Sequence, residues 1–574
     1  PKPSSAASDV YKRQVFNYGT IIGNYAGSGR VYDVLGNGAT TSNGDGDGVD
    51  IDGTAYIETW GTIRGNGAGG LDSTGQPNGA DGIAAGGGTI INHAGAVIYG
   101  DAHGILIDDG NDWSKDPSNP RITYNTGNTT GRGTGGTNGV NGAKAYIVND
   151  GSITGNKGIA IGLVGNYDDT LINNASGIIT GGAQATLTGQ GGSTVPGAAV
   201  QMGGGNDTLI NYGRIEGKNG LAIDMGDGDD SLQLLGGTVI GTINGGAGID
   251  TLTTGGTQTF AAGVLSGFEN YIVRDGVTRF NYDLGTVSNM TVNQGAVLQV
   301  NGAFGTSGNL AINGAFQAAE GTATRTINVG GNLSVGSNGT LQVAVAGPQA
   351  DRINAAGSAT LANGATLQPV VKTYVPNTAR WTILSAASGL SVDVSTIQLA
   401  DTATLDYGLQ VSGNDLILTA QRTASVSDVS GSPLGRALDA LGNNSSNAQV
   451  QNLLASLDAL PTAAAYRSAV RQLQPETNRA SQQAAQVSMG SVFSAVAGRV
   501  DSARGDAPVA SQGGSGVATG EAAARGRVWL QGLGAWGRQQ ARAGADGYDV
   551  SAYGMAAGME TDLSAREVAG LTLG

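Results

Sequence analysis

The residues best suited by type and spacing to do chemistry are aspartates set in glycine-rich turns. Gly245-Gly246-Ala247-Gly248-Ile249-Asp250-Thr251-Leu252 fits the nonapeptide pattern G-G-x-G-x-D-x-L, whose carboxylates and carbonyls are hard oxygen ligands for calcium. Residues 202–209 and 225–232 fit it less one glycine, and residues 46–51 fit its second half. In a calcium roll such motifs follow one another, so that adjacent turns share an ion. Here Asp207, Asp230 and Asp250 stand 23 and 20 residues apart. Two readings follow: the carboxylates cap backbone N–H groups at turns, or they bind calcium at stacked corners.

Other groups are more ordinary. His93 and His103, with Asp101 or Asp108, can be drawn as an acid–base pair, but no G-x-S-x-G elbow accompanies them. Solvent-facing or turn histidines are expected. Asp45, Asp47, Asp50 and Asp52 offer carboxylates as in polysaccharide-cleaving β-helices, yet their Gly-Asp alternation reads as a solvated turn. The chain has no cysteine, which excludes thiol catalysis and disulfides, and a net charge of −15, which argues against nucleic acid as a partner. The expectation is of no catalytic residue, no cofactor beyond calcium at Asp207, Asp230 and Asp250, and no enzyme.

The elements that carry these residues follow from glycine, which fills 100 of 574 positions. One phrase recurs: an apolar run, Asn, a Gly turn, a β-branched residue, then Gly. It appears at residues 17–23, 59–65 (with Thr for Asn), 149–155 and 211–217, and Asn92 and Asn173 open copies with longer turns. Short strands such as residues 158–161, 170–173 and 177–180, flanked by Gly, Asn or Asp, predict three strands per rung and tight positive-φ corners. Stacked rungs of this period predict a parallel β-helix over residues 15–258. Residues 259–425 keep the Asn-Gly and Gln-Gly corners but carry larger apolar residues, which predicts longer rungs with more buried area.

At Ser432-Pro433 the spacing becomes helical, and residues 432–505 read as a helical linker. Within it residues 476–504 form an Ala/Gln/Ser-rich helix with Ala485, Met489, Val492, Val496 and Val500 on one stripe, too polar for lipid but suited to a polar-walled pore. Residues 506–523 read as a Gly/Ala/Ser linker. Three strands begin at Arg527, Tyr548 and Val568, with small residues among aromatics and alternating long and short turns, the pattern of an outer-membrane barrel. Residues 1–14 lack the apolar run of a signal peptide and are expected to be a non-native leader, and the chain stops at Leu573-Gly574 within a strand pattern, as a fragment would.

Trp529-Leu530-Gln531-Gly532 with Ala535-Trp536-Gly537, then Tyr548-Asp549 and Ser551-Ala552-Tyr553-Gly554, resemble the opening of an autotransporter β-domain. Trp381-Thr382-Ile383-Leu384 is similar to the pertactin-like passenger stem that assists folding. The resemblance implies an all-β architecture: a β-helical passenger over 15–258, a stem over 259–425, the linker helix, and a truncated β-domain over 524–574. It implies export of the passenger to the surface of a Gram-negative bacterium. It also implies outer-membrane lipid and the barrel-assembly machinery as partners of the β-domain, with a receptor or a second copy as partner of the passenger.

Overall fold

A computed structural model describes residues 13–25, 30–32, 41–51, 53–69, 79–107, 113–116, 119–125, 142–188, 194–321, 324–375, 377–473, 480–503, 516–519, 526–540, 547–564 and 567–573. The chain divides into two compact units, one of Pro1–Ser425 with Leu438–Thr462 and one of Val426–Ala437 with Ala463–Gly574.

The first unit is a parallel β-helix. Its first wall is a 14-stranded sheet with one strand from each rung, running from Gln14–Asn17 to Leu390–Val392 without leaving parallel order. Period-2 alternation gives each strand one inward face. Ile57, Ile90, Ile147, Leu171, Leu209, Leu232 and Leu252 stack on it in register, and none is exposed. Ile63, Ile98, Ile153, Ile179 and Ile215 form the matching inward column of the second wall. The same core continues into residues 260–420, where Phe260, Tyr271, Phe280, Phe304 and Phe316 replace aliphatic residues.

Three expectations need correction. Positive φ among the described residues falls on glycine alone, so Asn and Asp do not serve the corners by adopting left-handed backbone; they act through their side chains. The rungs after residue 258 are not all longer: Tyr271, Met290 and Leu310 follow one another at 19 and 20 residues, and only towards the end do the steps to Leu333, Ala359 and Leu390 lengthen to 23, 26 and 31. The strand Gln14–Asn17 begins inside the expected leader, whose residues 1–12 lie outside the described residues.

The unit ends in antiparallel pairing. Ala379–Ala386 and Leu405–Ser412 both flank Asp415–Arg422, which turns the open parallel edge into a hairpin cap. The helix Ala448–Asp458 packs on this cap. Its Asp458, 1% exposed, accepts from Thr404 Oγ1 at 2.7 Å and pairs with the Arg422 guanidinium, which also lies 4.3 Å over the Tyr374 ring.

The second unit holds the helix Ala480–Ala503 and an antiparallel sheet of Gly516–Thr519, Gly526–Gln539, Tyr548–Ser564 and Glu567–Leu573. The strand Gly516–Thr519 corrects the reading of residues 506–523 as linker throughout. Among the described residues no helix is long and apolar enough to cross a membrane.

Candidate functional site

Two side-chain columns run inside the corner-bearing rungs. At the end of the first-wall strands, Asn92 Nδ2 donates to Asn149 Oδ1 at 2.7 Å, Asn149 to Asn173 at 2.8 Å, and Asn173 to Asn211 at 2.8 Å. All four are fully buried, and the asparagines of the repeat phrase bond rung to rung, while the Asn92 Oδ1 at the head of the series has no hydrogen-bond partner. The register then places Leu234 beside Asn211, and the column turns apolar.

At the start of the same strands runs a carboxyl column. Ala145 N–H donates to Asp169 Oδ1 at 2.6 Å, Asp169 N–H to Asp207 at 2.7 Å, Asp207 N–H to Asp230 at 2.7 Å, and Asp230 N–H to Asp250 at 2.9 Å. Asp250 N–H closes the series on Glu269 Oε2 at 2.8 Å. The candidate calcium aspartates therefore stack one per rung, each capping the backbone of the rung before. The motif glycines serve a different end, the close stacking of the turns themselves. Gly228 and Gly248 hold φ of 138° and 140°, and a Cβ on Gly228 would lie 1.8 Å from the Gly205 carbonyl oxygen. Only glycine lets these turns stack at that distance. Burial, above all, pushes Asp169 up to about 7, Asp207 to about 10, Asp230 to about 7 and Asp250 to about 6. Among the described residues no three His, Asp or Glu side chains are grouped as a metal would need.

The histidines sit apart. His93 Nε2 lies 2.7 Å from Glu58 Oε1, and its ring stacks on Trp60 at 4.3 Å, which stacks on Tyr18 at 4.5 Å. His103 pairs with Asp81, not Asp101: Nδ1 lies 2.9 Å from Asp81 Oδ1, which also accepts the His103 N–H at 3.1 Å. Asp81 N–H in turn donates to Asp47 Oδ1 at 2.6 Å. Burial opposes a charge on His103, but the Asp81 carboxylate outweighs it and holds the imidazole above its ordinary pKa. Asp101 instead accepts from Gly67 N–H at 2.9 Å and the Tyr99 hydroxyl at 3.0 Å. Asp50 is exposed, while Asp52, Asp108 and the side chain of Asp45 lie outside the described residues. Asp81 escaped the sequence reading, although the phrases Asp47-Gly48-Val49, Asp81-Gly82-Ile83 and His103-Gly104-Ile105 carry the signal: these strands pair in register.

The C-terminal sheet has its own chemistry. Alternation places Val528, Leu530, Trp536, Tyr553, Met555, Met559, Leu571 and Leu573 on one face, each at least half exposed. Val528, Met559 and Leu571 are direct cross-strand partners. The opposite face holds Trp529, Ala556 and Glu560, against which the helix Ala480–Ala503 packs through Ala495. Arg499 on that helix grips Glu560 with two bonds, Nε to Oε1 at 2.6 Å and Nη2 to Oε2 at 3.2 Å. The apolar stripe of this helix does not supply these contacts. Met489 and Val500 are exposed, because a polar wall selects a small residue and an arginine rather than the larger apolar side chains. An apolar outer face and a polar, helix-occupied inner face are what a lipid-facing barrel wall requires.

Comparison with curated proteins finds no match. Residues 528–574 match the family model of the autotransporter β-domain. With a large parallel β-rich unit before that C-terminal strand region, the chain fits an autotransporter.

Proposed function

We propose that the C-terminal strands belong to an outer-membrane barrel that exports the β-helix to the surface of a Gram-negative bacterium, where it acts by binding, in adhesion or aggregation. The observation that carries the export reading is the inverted sheet of residues 526–573, apolar outside and gripping a helix inside through Arg499–Glu560. Outer-membrane lipid and the barrel-assembly machinery are then its partners.

The binding reading is supported by the regular wall of the β-helix and by the aromatic file Tyr18–Trp60–His93, of which Tyr18 is 73% exposed. Exposed rings on a rigid wall suit contact with a receptor or a second copy. A second reading, a surface enzyme acting on polysaccharide, rests on the Asp47–Asp81–His103 column.

Display of the protein on a Gram-negative host tests both. Surface antibody should reach a tag in the exposed turn at Gln294-Gly295 on intact cells, and the displaying cells should aggregate or attach. Replacing Tyr18 and Trp60 by alanine should reduce attachment severalfold without lowering display. A tag reachable only after lysis would overturn export. Polysaccharide cleavage that disappears in His103→Gln would replace the binding reading with the enzymatic one.

A further inference from the structure

The outward face of the first wall bears no charged side chain on any strand from Thr89 to Val392. Register draws two columns along it. One carries hydroxyls, such as Thr170 and Thr208; the other sets Ile91, Val148, Ile172 and Ile210 side by side in four successive rungs. All six are partly exposed. The chain as a whole holds 45 acidic and 30 basic residues, and the outward columns of the second wall include Arg64, Arg214 and Glu216. On the first wall the charges stand back at the corner where its strands begin. There Lys144, Asp168 and Asp229, all exposed, each come one residue before the buried corner position.

We propose that this face is where two copies of the chain associate, one β-helix laid antiparallel on the other about a two-fold axis; the proposal rests on the reading of the β-helix as a binding passenger. A charge-free face gives an acidic or basic partner nothing to hold. Its rungs repeat at about 4.8 Å, a spacing that a second stack of the same rungs matches along its whole length. Past its first two strands, the 14-stranded wall presents about 700 Å² per copy, so a pair buries about 1,400 Å², the size of a stable interface. The antiparallel two-fold sets aliphatic column on aliphatic column, whereas a parallel one would set it on the hydroxyls. With the axis between the rungs of Ile172 and Ile210, those two residues face each other. The same axis brings Lys144 of each copy opposite Asp229 of the other, because these corners lie one rung outside Asp168 and Asn206. Antiparallel stacks are also what two facing cells present to each other.

The chain has no cysteine, so a single introduced one reports the contact without background. In the full chain in detergent, a short bismaleimide should link Ile172→Cys into dimers and leave Thr154→Cys, on the second wall, monomeric. Ile172→Glu with Ile210→Glu should weaken association in sedimentation by about tenfold or more, with an unchanged melt because both side chains point outward. Lys144→Asp should weaken it as well, and adding Asp229→Lys should restore it. No cross-link at Ile172, equal cross-linking at both positions, or undiminished association of the glutamate variant would overturn the proposal. So would retention of a monomeric chain on cellulose that the glutamate variant loses, which would assign the face to a glycan. Displaying cells that attach or aggregate equally well with the glutamate variant would keep the binding reading and remove this face from it. Cells that do neither, while the purified chain still cross-links through Ile172, would overturn the binding reading and leave the pairing in place.

Discussion

The two units use one alternation with opposite signs. In the β-helix the apolar face of each strand points inward, and Leu171, Leu209, Leu232 and Leu252 are fully buried. In the C-terminal sheet the apolar face points outward, with Met555, Leu571 and Tyr553 68–74% exposed, while Glu560 and Ala556 are buried. Period 2 alone fixes neither sign. On the export reading proposed above, what sets it is the medium each face meets: water around the β-helix, hydrocarbon around the sheet. The polar columns sharpen the contrast. A β-helix interior accepts Asn92, Asn149, Asn173 and Asn211 because hydrogen bonds from amide to amide link each to the next rung. The inner face of the sheet accepts Glu560 because Arg499 meets it.

Breaking the inward face should have the largest effect. Leu232→Asn removes a buried side chain and leaves an amide without partners, and it should cost about 5 kcal/mol in urea unfolding. Next comes the cap. Asp458→Ala strands the Arg422 guanidinium and the Thr404 hydroxyl, and should cost about 4 kcal/mol, visible as early opening of residues 379–422 in hydrogen exchange. On the inverted sheet Met555→Arg should cost about 3 kcal/mol of stability in a bilayer. The same exchange on an exposed position of the β-helix, such as Ile178, should stay within about 0.5 kcal/mol.

The amide column offers a finer test. Asn173→Leu alone leaves Asn149 Nδ2 without its acceptor and Asn211 Oδ1 without its donor, and should cost about 2 kcal/mol. Replacing Asn149, Asn173 and Asn211 together by leucine should cost less than three times as much, since few unpaired amides are left. Smallest is the effect of His103. Its folded pKa is raised, so its contribution is complete below about pH 6.5 and fades as pH climbs through the folded value. His103→Gln should flatten that part of the pH dependence while leaving the alkaline stability nearly unchanged.

The repeats, the glycine corners and the three C-terminal strands were legible in the sequence, since each depends on local spacing. The columns were not. Asn92 and Asn149 are bonded neighbours 57 residues apart, and no fixed period points across such an insertion. The asparagines were visible, but a turn role and a ladder role leave the same trace in one dimension. Asp81 was missed for a like reason, as it joins Asp47 and His103 only through strand register. Which face of the helix Ala480–Ala503 meets the sheet was not legible, because alanine and serine surround it and the choice falls to the strands it packs on.

The inverted sign of the C-terminal sheet is tested most directly by its two tryptophans. Trp536 points outward and is 72% exposed, whereas Trp529 points toward the helix and is 5% exposed. In variants keeping one tryptophan each, brominated lipid should quench the fluorescence of Trp536 strongly and that of Trp529 weakly. Equal quenching of the two, or none of Trp536, would contradict a sheet that faces lipid.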